Sequence, residues 1–171
     1  MKLNTFFMVF IIGLTFASAE AFKGYRELAK ECKEDIIKTG NYANVNDMKK
    51  ALTSHDWIVA DVRTKEEWNS AFIKGSYRIG RASPEEMLAN VVLDHNDNFE
   101  KKNIILVCNT GDRASLESLV MKKMGFKKVL VYDIYDWIDS CQPFETGYSR
   151  KKNKNGTGKL FGSFKAEHCY K

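Results

Sequence analysis

Three short, fully apolar runs constrain the fold of this chain more than any other feature of its sequence. They occupy residues 57–60, 104–107 and 129–132, and each lies between polar segments. A strand that is apolar at every position suits a parallel sheet, because such a strand is buried on both faces. Since segments with helical spacing separate the runs, they indicate right-handed β-α-β units. The sequence therefore predicts a single α/β domain, a parallel sheet with helices on both faces.

Helical patterns fill the segments between these runs. Apolar residues spaced for a helix lie between residues 22 and 38, and Thr64 with Glu67 forms a capping box that opens a short helix. After the second run, an amphipathic helix is predicted that ends at Gly125. Its buried face is predicted from its large apolar residues, which are Leu116, Leu119, Val120 and Met124. A last helix covers residues 134–140.

The N-terminal segment has the organisation of a secretory signal peptide. A basic start at Lys2 precedes an apolar stretch over residues 6–16, and residues 17–19 have the small-x-small form of a cleavage site. The stretch is shorter than the roughly 20 apolar residues that span a bilayer, although an uncleaved membrane anchor is the alternative. We therefore expect residues 1–19 to be removed. The mature chain is then periplasmic or secreted, with no stable membrane insertion.

The rest of the chain divides into three parts by composition. A helical extension over residues 20–43 precedes the predicted α/β domain at 44–148, and a basic tail follows at 149–171. The tail holds seven basic residues and one acidic residue, so the net charge of +5 is a property of the tail. Nucleic acid is not an expected partner, because its binding needs basic residues spread over one face. We expect the tail to be a solvated, partly extended arm.

A polar loop after the second apolar run carries the residue types of a nucleophilic site. Cys108 directly follows that run, and the amphipathic helix begins beyond the loop. In open parallel sheets, ligands bind at the carboxyl ends of the strands, beside helix N-termini. There the helix dipole, backbone N–H groups and a guanidinium would favour the thiolate form of Cys108 and bind an anion. The predicted anion-binding loop comprises Asn109, Thr110, Gly111, Asp112 and Arg113.

Two residues of this loop refine the prediction of an anion-binding site around the Cys108 thiolate. Gly111 permits a tight turn of the backbone, whereas the Asp112 carboxylate would disfavour a thiolate and is therefore expected to point outwards. The alternative is that Cys108 is a small core residue, which is common after a buried strand. The three histidines of the chain lie in turn-like segments or in the tail, so a cysteine–histidine hydrolase fits poorly.

The other three cysteines are candidates for a disulfide in an oxidising compartment. The chain has no Cys-x-x-Cys pair, so neither a structural zinc site nor another metal site is expected. A Cys141–Cys169 bridge would tie the basic tail to the end of the last helix. The pairings of Cys32 with either partner stay open, and so does a chain in which all three thiols are reduced.

Taken in order along the chain, these features resemble the rhodaneses, the single-domain sulfurtransferases. The Cys-x-x-Gly-x-Arg loop at 108–113 is similar to the active loop of that family, and the resemblance extends over residues 45–145. Further similar blocks are Asp61-Val62-Arg63, Glu66-Glu67-Trp68, Ile73-Lys74-Gly75-Ser76, Met124-Gly125-Phe126 with Val129, and Trp137 with Pro143. The chain departs from the family pattern at Phe72, where histidine is usual, and at residues 134–136, which replace a Gly-Gly pair.

The resemblance implies an exported rhodanese-like enzyme that transfers sulfur without a cofactor. The Cys108 thiolate would take the outer sulfur of thiosulfate or a similar donor as a persulfide, and a thiol or cyanide would then remove it. The loop amides would stabilise the anions, and the Arg113 side chain would help to bind the donor. Asp61 and Arg63 would be structural support that ties strand ends together.

Two other interpretations stay open. A phosphatase or arsenate reductase of the related dual-specificity class has a Cys-x5-Arg loop, which gives room for a tetrahedral phosphate. The loop here is one residue shorter, and this favours sulfur. In the other interpretation, a non-catalytic module holds the persulfide on Cys108 for a protein acceptor, without appreciable turnover on small acceptors.

Overall fold

The computed structural model describes most of the chain that follows the N-terminal segment. The described residues are 22–96, 98, 100–148, 150–151, 159–160 and 162–170. The signal peptide predicted at 1–19 lies outside these residues, as does part of the basic tail. Within the described ranges, no helix combines the length and the apolar character that crossing a membrane requires.

Helices and strands alternate through most of the described chain. The helices are α1 (Tyr25–Lys38), α2 (Val45–Thr53), α3 (Lys65–Ser70), α4 (Pro84–Val92), α5 (Asp112–Met124) and α6 (Ile134–Asp139). The strands are β1 (Trp57–Asp61), β2 (Tyr77–Arg78), β3 (Asn103–Cys108), β4 (Lys128–Asp133), β5 (Phe144–Glu145), β6 (Arg150–Lys151), β7 (Lys159–Leu160) and β8 (Ser163–Phe164). A short 3₁₀ turn, Glu167–Tyr170, follows the last strand.

Four strands form a parallel sheet in the order β2-β1-β3-β4. The register aligns the three apolar runs, because Ile58 lies opposite Ile104, which in turn lies opposite Val129. All three side chains are buried. A single parallel bridge between Tyr42 and Val131 continues the sheet beyond β4. The prediction of an α/β domain with a parallel sheet is confirmed.

The sheet separates two apolar layers. On one face, Ile36 of α1 and Met121 of α5 are buried in the same cluster as Cys108. On the other face, Met48 of α2 and Trp137 of α6 are buried against the strands. Helices thus cover both faces, as predicted, and the central residues of β1, β3 and β4 are apolar on both sides because these strands serve both layers.

Helix α5 buries different residues from those predicted. Leu119 and Val120 are exposed, at 46% and 37%. The buried positions are Ala114, Ser115, Ser118 and Met121. Serine is compatible with this face because each hydroxyl donates to a carbonyl of the preceding turn, Ser115 to Gly111 at 2.8 Å and Ser118 to Ser115 at 2.7 Å. The predicted face is therefore wrong at Leu119 and Val120, whereas Leu116 and Met124 are half-buried and Met124 packs against the core.

The basic tail is attached to the domain near its described end. Strand β8 pairs antiparallel with β5, which places Phe164 opposite Phe144, and β6 pairs with β7. A disulfide joins Cys141, just after α6, to Cys169, with Cα atoms 5.6 Å apart. Cys32 keeps a free, partly buried thiol. The expectation of a solvated, partly extended arm is therefore only partly wrong. Residues 162–170 are mostly exposed, but the pairing of β8 with β5 and the disulfide hold them on the domain.

Candidate active site

Cys108 lies where the sheet, the predicted loop and helix α5 meet. It is the last residue of β3, and Asp112 and Arg113 already belong to the first turn of α5, so only residues 109–111 form the loop. Cys108 is 1% exposed, and its Sγ accepts a hydrogen bond from the backbone N–H of Gly111 at 3.1 Å. Because backbone N–H groups and the dipole at a helix N-terminus attract negative charge, this position suits a thiolate or a persulfide anion.

Gly111 gives the loop the turn that directs its N–H at the sulfur. Its backbone is left-handed, with φ of +86°, a conformation that glycine adopts without strain. A Cβ at this position would lie 2.6 Å from the hydroxyl oxygen of Tyr42. Both the backbone angle and the close approach of Tyr42 therefore require glycine here.

The N-terminal extension holds this loop from outside. Lys33 of α1 donates a hydrogen bond to the carbonyl of Thr110, and its Nζ lies 3.5 Å from Oδ1 of Asp112. The Tyr42 hydroxyl donates to the same carbonyl at 3.4 Å. Burial, followed by the charges of Asp133 and Cys108, raises the pKa of Tyr42, so its phenol stays protonated as a donor. The Asp112 carboxylate pairs with Lys33, and its side chain is 46% exposed.

Glu67 is a site residue whose role the sequence did not reveal. Its two carboxylate oxygens each lie 2.8 Å from a terminal nitrogen of Arg113, and Asn109 donates to it at 2.7 Å. The predicted capping box with Thr64 is present as well. The hydrogen bonds from Arg113 are the largest cause that lowers the pKa of Glu67 from 4.5 to about 2. The guanidinium expected to bind a donor is thus held by a carboxylate, and it anchors α3 to the start of α5.

Asp61 and Arg63 form a buried ion pair at the end of β1, with Nη2 and Oδ2 2.8 Å apart. The Arg63 guanidinium also donates to the carbonyl of Ala71 at 2.7 Å and to the side-chain oxygen of Asn109 at 3.5 Å. Burial raises the pKa of Asp61, and the hydrogen bonds and charge of Arg63 oppose that rise. The pair connects β1, the end of α3 and the Cys108 loop.

A cavity of about 210 Å³ lies beside the first turns of α5, on the face of the sheet that carries Cys108. It is lined by Tyr25, Val62, Arg81, Pro84, Arg113, Leu116 and Glu117. Val62 donates its N–H to the carbonyl of Val107 at 3.0 Å, so one wall of the cavity is the direct neighbour of the Cys108 strand. A second cavity of similar size lies beyond Glu67 and Asn109, against α6. The first cavity is the candidate substrate site.

One cluster in the described ranges brings three residues of metal-ligand types together, near the end of α6. Atoms of Cys141, His168 and Cys169 all lie within 4.8 Å of one another. The disulfide occupies both sulfur atoms, and Nε2 of the remaining ligand, His168, lies 3.3 Å from the carbonyl oxygen of Asp139. The geometry of the cluster is explained by the disulfide.

The comparison with known families agrees with this architecture. A parallel sheet that presents a cysteine at the N-terminus of a helix is the arrangement expected of a single-domain sulfurtransferase. Residues 44–136 match the Rhodanese-like domain. The chain belongs to the rhodanese-like domain family. The extension that carries Lys33 and Tyr42 lies outside the match.

Relatives of known description include two tRNA uridine(34) hydroxylases. The alignment with the hydroxylase of Wigglesworthia glossinidia brevipalpis has 29% identity over 104 residues. It covers 61% of this chain and 33% of the hydroxylase. The alignment with the hydroxylase of Streptococcus uberis has 34% identity over 91 residues. It covers 53% of this chain and 27% of the hydroxylase. The aligned part thus spans about a third or less of these relatives.

Two solved structures share the fold at low sequence identity. A thiosulfate sulfurtransferase from Pseudomonas aeruginosa has a TM-score of 0.54 and 16% identity, over 63% of this chain and 19% of that one. A polysulfide-sulfur transferase homodimer from Wolinella succinogenes has a TM-score of 0.51 and 22% identity, over 68% of this chain and 82% of that one. At these identities the likeness shows the fold.

Proposed function

We propose that this chain is a thiosulfate-type sulfurtransferase that carries sulfane sulfur as a persulfide on Cys108. One observation carries the proposal: the sulfur of Cys108 lies at the N-terminus of α5 and accepts the N–H of Gly111 at 3.1 Å. This environment stabilises a sulfur anion both before and after it gains a second sulfur. The rhodanese-like family supports sulfur transfer in general, and the donor and the acceptor are our proposal.

In the first step, the Cys108 thiolate attacks the outer sulfur of thiosulfate. A new S–S bond forms, the bond to the sulfonate sulfur breaks, and sulfite leaves with that electron pair. The negative charge passes to the outer sulfur, which the N–H groups at the start of α5 stabilise. A thiophilic acceptor, cyanide or a thiol, then attacks the outer sulfur and returns Cys108 to the thiolate.

Hydroxylation of tRNA, the activity named for the curated relatives, is less well supported for this chain. Those alignments cover 33% and 27% of the hydroxylases. The net positive charge of the chain lies in residues 149–171, whereas the family match at 44–136 holds 14 basic and 14 acidic residues. A cationic surface that tracks a nucleic-acid backbone would be expected on the matched domain itself.

Mass measurement after incubation with thiosulfate tests the proposal. The protein is expected to gain the mass of one sulfur atom, the Cys108→Ser variant is expected to gain none, and only the former is expected to convert cyanide to thiocyanate. Cys32→Ser is the matched control, because Cys32 is the other free thiol. Burial and the carboxylates of Asp35 and Glu31 raise the pKa of Cys32, which makes it a poor nucleophile at neutral pH.

The outcomes separate the interpretations that the sequence left open. Persulfide formation without turnover on cyanide would identify a carrier module in place of an enzyme. Wild-type turnover by Cys108→Ser would overturn the assignment of the nucleophile. Absence of any sulfur adduct on the wild-type protein would overturn sulfur transfer from thiosulfate.

A further inference from the structure

A groove at the edge of the sheet carries positive charge that the reaction does not use. It has a volume of about 450 Å³ and lies between the start of α3, the end of β2 and the start of α4. Three cations from different segments line it, Lys65, Arg78 and Arg81, and all three are exposed. Within the described ranges, none of these side chains forms an ion pair or a hydrogen bond. The groove therefore presents three charges to a binding partner.

The neighbouring guanidiniums at this edge of the sheet are paired with carboxylates. Arg63 binds Asp61, and Arg113 binds Glu67. Of the described residues that line the groove, only Glu86 is acidic, which leaves an excess of two positive charges. A cleft lined mainly by charges of one sign attracts a partner of the opposite sign. The groove thus favours an anionic partner.

Gly80 makes room for one of the three cations. Its φ is +75°, and a Cβ at this position would lie 2.9 Å from Nη1 of Arg78. The guanidinium of Arg78 therefore lies close against the backbone of Gly80. The N–H groups of Ile79 and Gly80 both donate to the carbonyl of Asp61, at 2.9 and 3.1 Å, which fixes this segment to the end of β1. A guanidinium held in this way loses less side-chain freedom on binding than a mobile one.

The groove lies at the same edge of the sheet as Cys108. Both follow the carboxyl ends of parallel strands, and β1 lies between β2 and β3. Two strand spacings amount to roughly 10 Å, so a protein seated in the groove would also face the Cys108 loop. Arg81 lines the neighbouring cavity beside α5 as well. Binding in the groove therefore brings a partner to the reactive edge of the domain.

The composition of the groove favours a protein over a nucleic acid. Met87, which is 44% exposed, adds apolar surface beside the arginines, and both arginine and methionine are enriched in protein–protein interfaces. A nucleic-acid backbone needs cations along an extended groove, whereas the family match carries equal numbers of basic and acidic residues. The Glu86 carboxylate would also repel phosphates.

We propose that this groove docks an acidic segment of a partner protein at the edge of the sheet that carries Cys108. Carboxylates of the segment pair with Arg78 and Arg81, since a guanidinium can bind a carboxylate through two parallel hydrogen bonds. An apolar side chain of the segment packs against Met87. The docking does not depend on which sulfur compound Cys108 accepts, so it can be tested apart from the proposed function.

An NMR titration of the ¹⁵N-labelled protein with the peptide Glu-Glu-Leu-Glu-Glu-Leu tests the inference. The backbone amides of residues 78–87 are expected to shift, and less so at high salt. Replacing the three cations together (Lys65→Gln, Arg78→Gln and Arg81→Gln) is expected to weaken binding at these amides by about tenfold, since each exposed pair contributes roughly twofold or more. Arg78→Lys is expected to bind more tightly than Arg78→Gln, because it keeps the charge.

The matched control removes three exposed lysines outside the groove (Lys49→Gln, Lys50→Gln and Lys102→Gln). It changes the net charge equally and is expected to bind like the wild type. Equal weakening in this control would overturn the inference, because binding would then follow net charge. Shifts confined to residues 149–171 would overturn it as well, since the tail would be the binding surface. So would tighter binding of single-stranded DNA of the same charge at residues 78–87, which would identify a phosphate-binding groove.

Discussion

At the scale of single residues, Glu67 holds the start of α5 in place without contacting the sulfur. It accepts two hydrogen bonds from Arg113 and one from Asn109, so it connects the residues on either side of the Gly111 turn to α3. Glu67 and Arg113 are 30% and 21% exposed in their side chains. Such a partly buried, bidentate ion pair is stronger than an ordinary ion pair on the surface.

Glu67→Gln is predicted to lower the free energy of unfolding at pH 7 by about 1 kcal/mol, the upper end of the range for exposed pairs. The folded-state pKa of Glu67 is depressed from 4.5 to about 2, so the stabilisation is complete above about pH 4.5 and is lost as the pH falls toward 2. Urea denaturation of both proteins across this pH range measures the difference. Glu66→Gln, an exposed neighbour, is the control, and a difference between wild type and Glu67→Gln that persists at pH 2 would contradict the role of the ion pair.

At the scale of elements, helix α1 acts on the active loop although it lies outside the matched domain. Lys33 donates to the Thr110 carbonyl and pairs with Asp112. Drawing that carbonyl outwards leaves the next N–H, that of Gly111, directed at Cys108. Lys33 is therefore a positioning residue for the loop.

Lys33→Met is predicted to slow persulfide formation from thiosulfate by about fivefold, equivalent to about 1 kcal/mol for a partly exposed charge-assisted hydrogen bond. Lys33→Arg is predicted to restore most of the rate, because a guanidinium can reach the same carbonyl. Stopped-flow measurement of the single-turnover rate tests this. Lys30→Met, on the exposed side of the same helix, is expected to react at the wild-type rate, and a Lys33→Met protein as fast as Lys30→Met would remove Lys33 from the site.

At the scale of the whole molecule, the Cys141–Cys169 disulfide joins the end of α6 to the last described turn across a sequence separation of 28. Replacing both cysteines by serine is predicted to lower the free energy of unfolding by about 3–4 kcal/mol in the chain-entropy model, since the open chain regains loop entropy when it unfolds. Chemical denaturation measures this change in the free energy of unfolding. Cys32→Ser is the control, because Cys32 is a free thiol outside the disulfide. Peptide mapping of the folded protein under non-reducing conditions should find the bridge. Free Cys141 and Cys169 in protein that has folded under oxidising conditions would contradict it.

Several elements were predictable because they depend on local pattern. The three apolar runs became β1, β3 and β4, and the Thr64–Glu67 capping box is present. The buried face of α5 was not predictable from side-chain size, since Ser115 and Ser118 satisfy their hydroxyls inside the helix. Lys33 lies beyond the resemblance at residues 45–145, so no motif indicated its contact with the loop.

The order of apolar and polar residues by itself determined the sheet, its two helical layers and the place of Cys108. Burial on both faces requires continuous apolar runs, and parallel connections bring all strand ends to one edge. Only the tertiary structure decided which distant groups meet there, as Glu67 meets Arg113 and Lys33 meets Thr110. Those contacts depend on how helices pack over long sequence separations, and the charge of a residue does not specify which partner it will find.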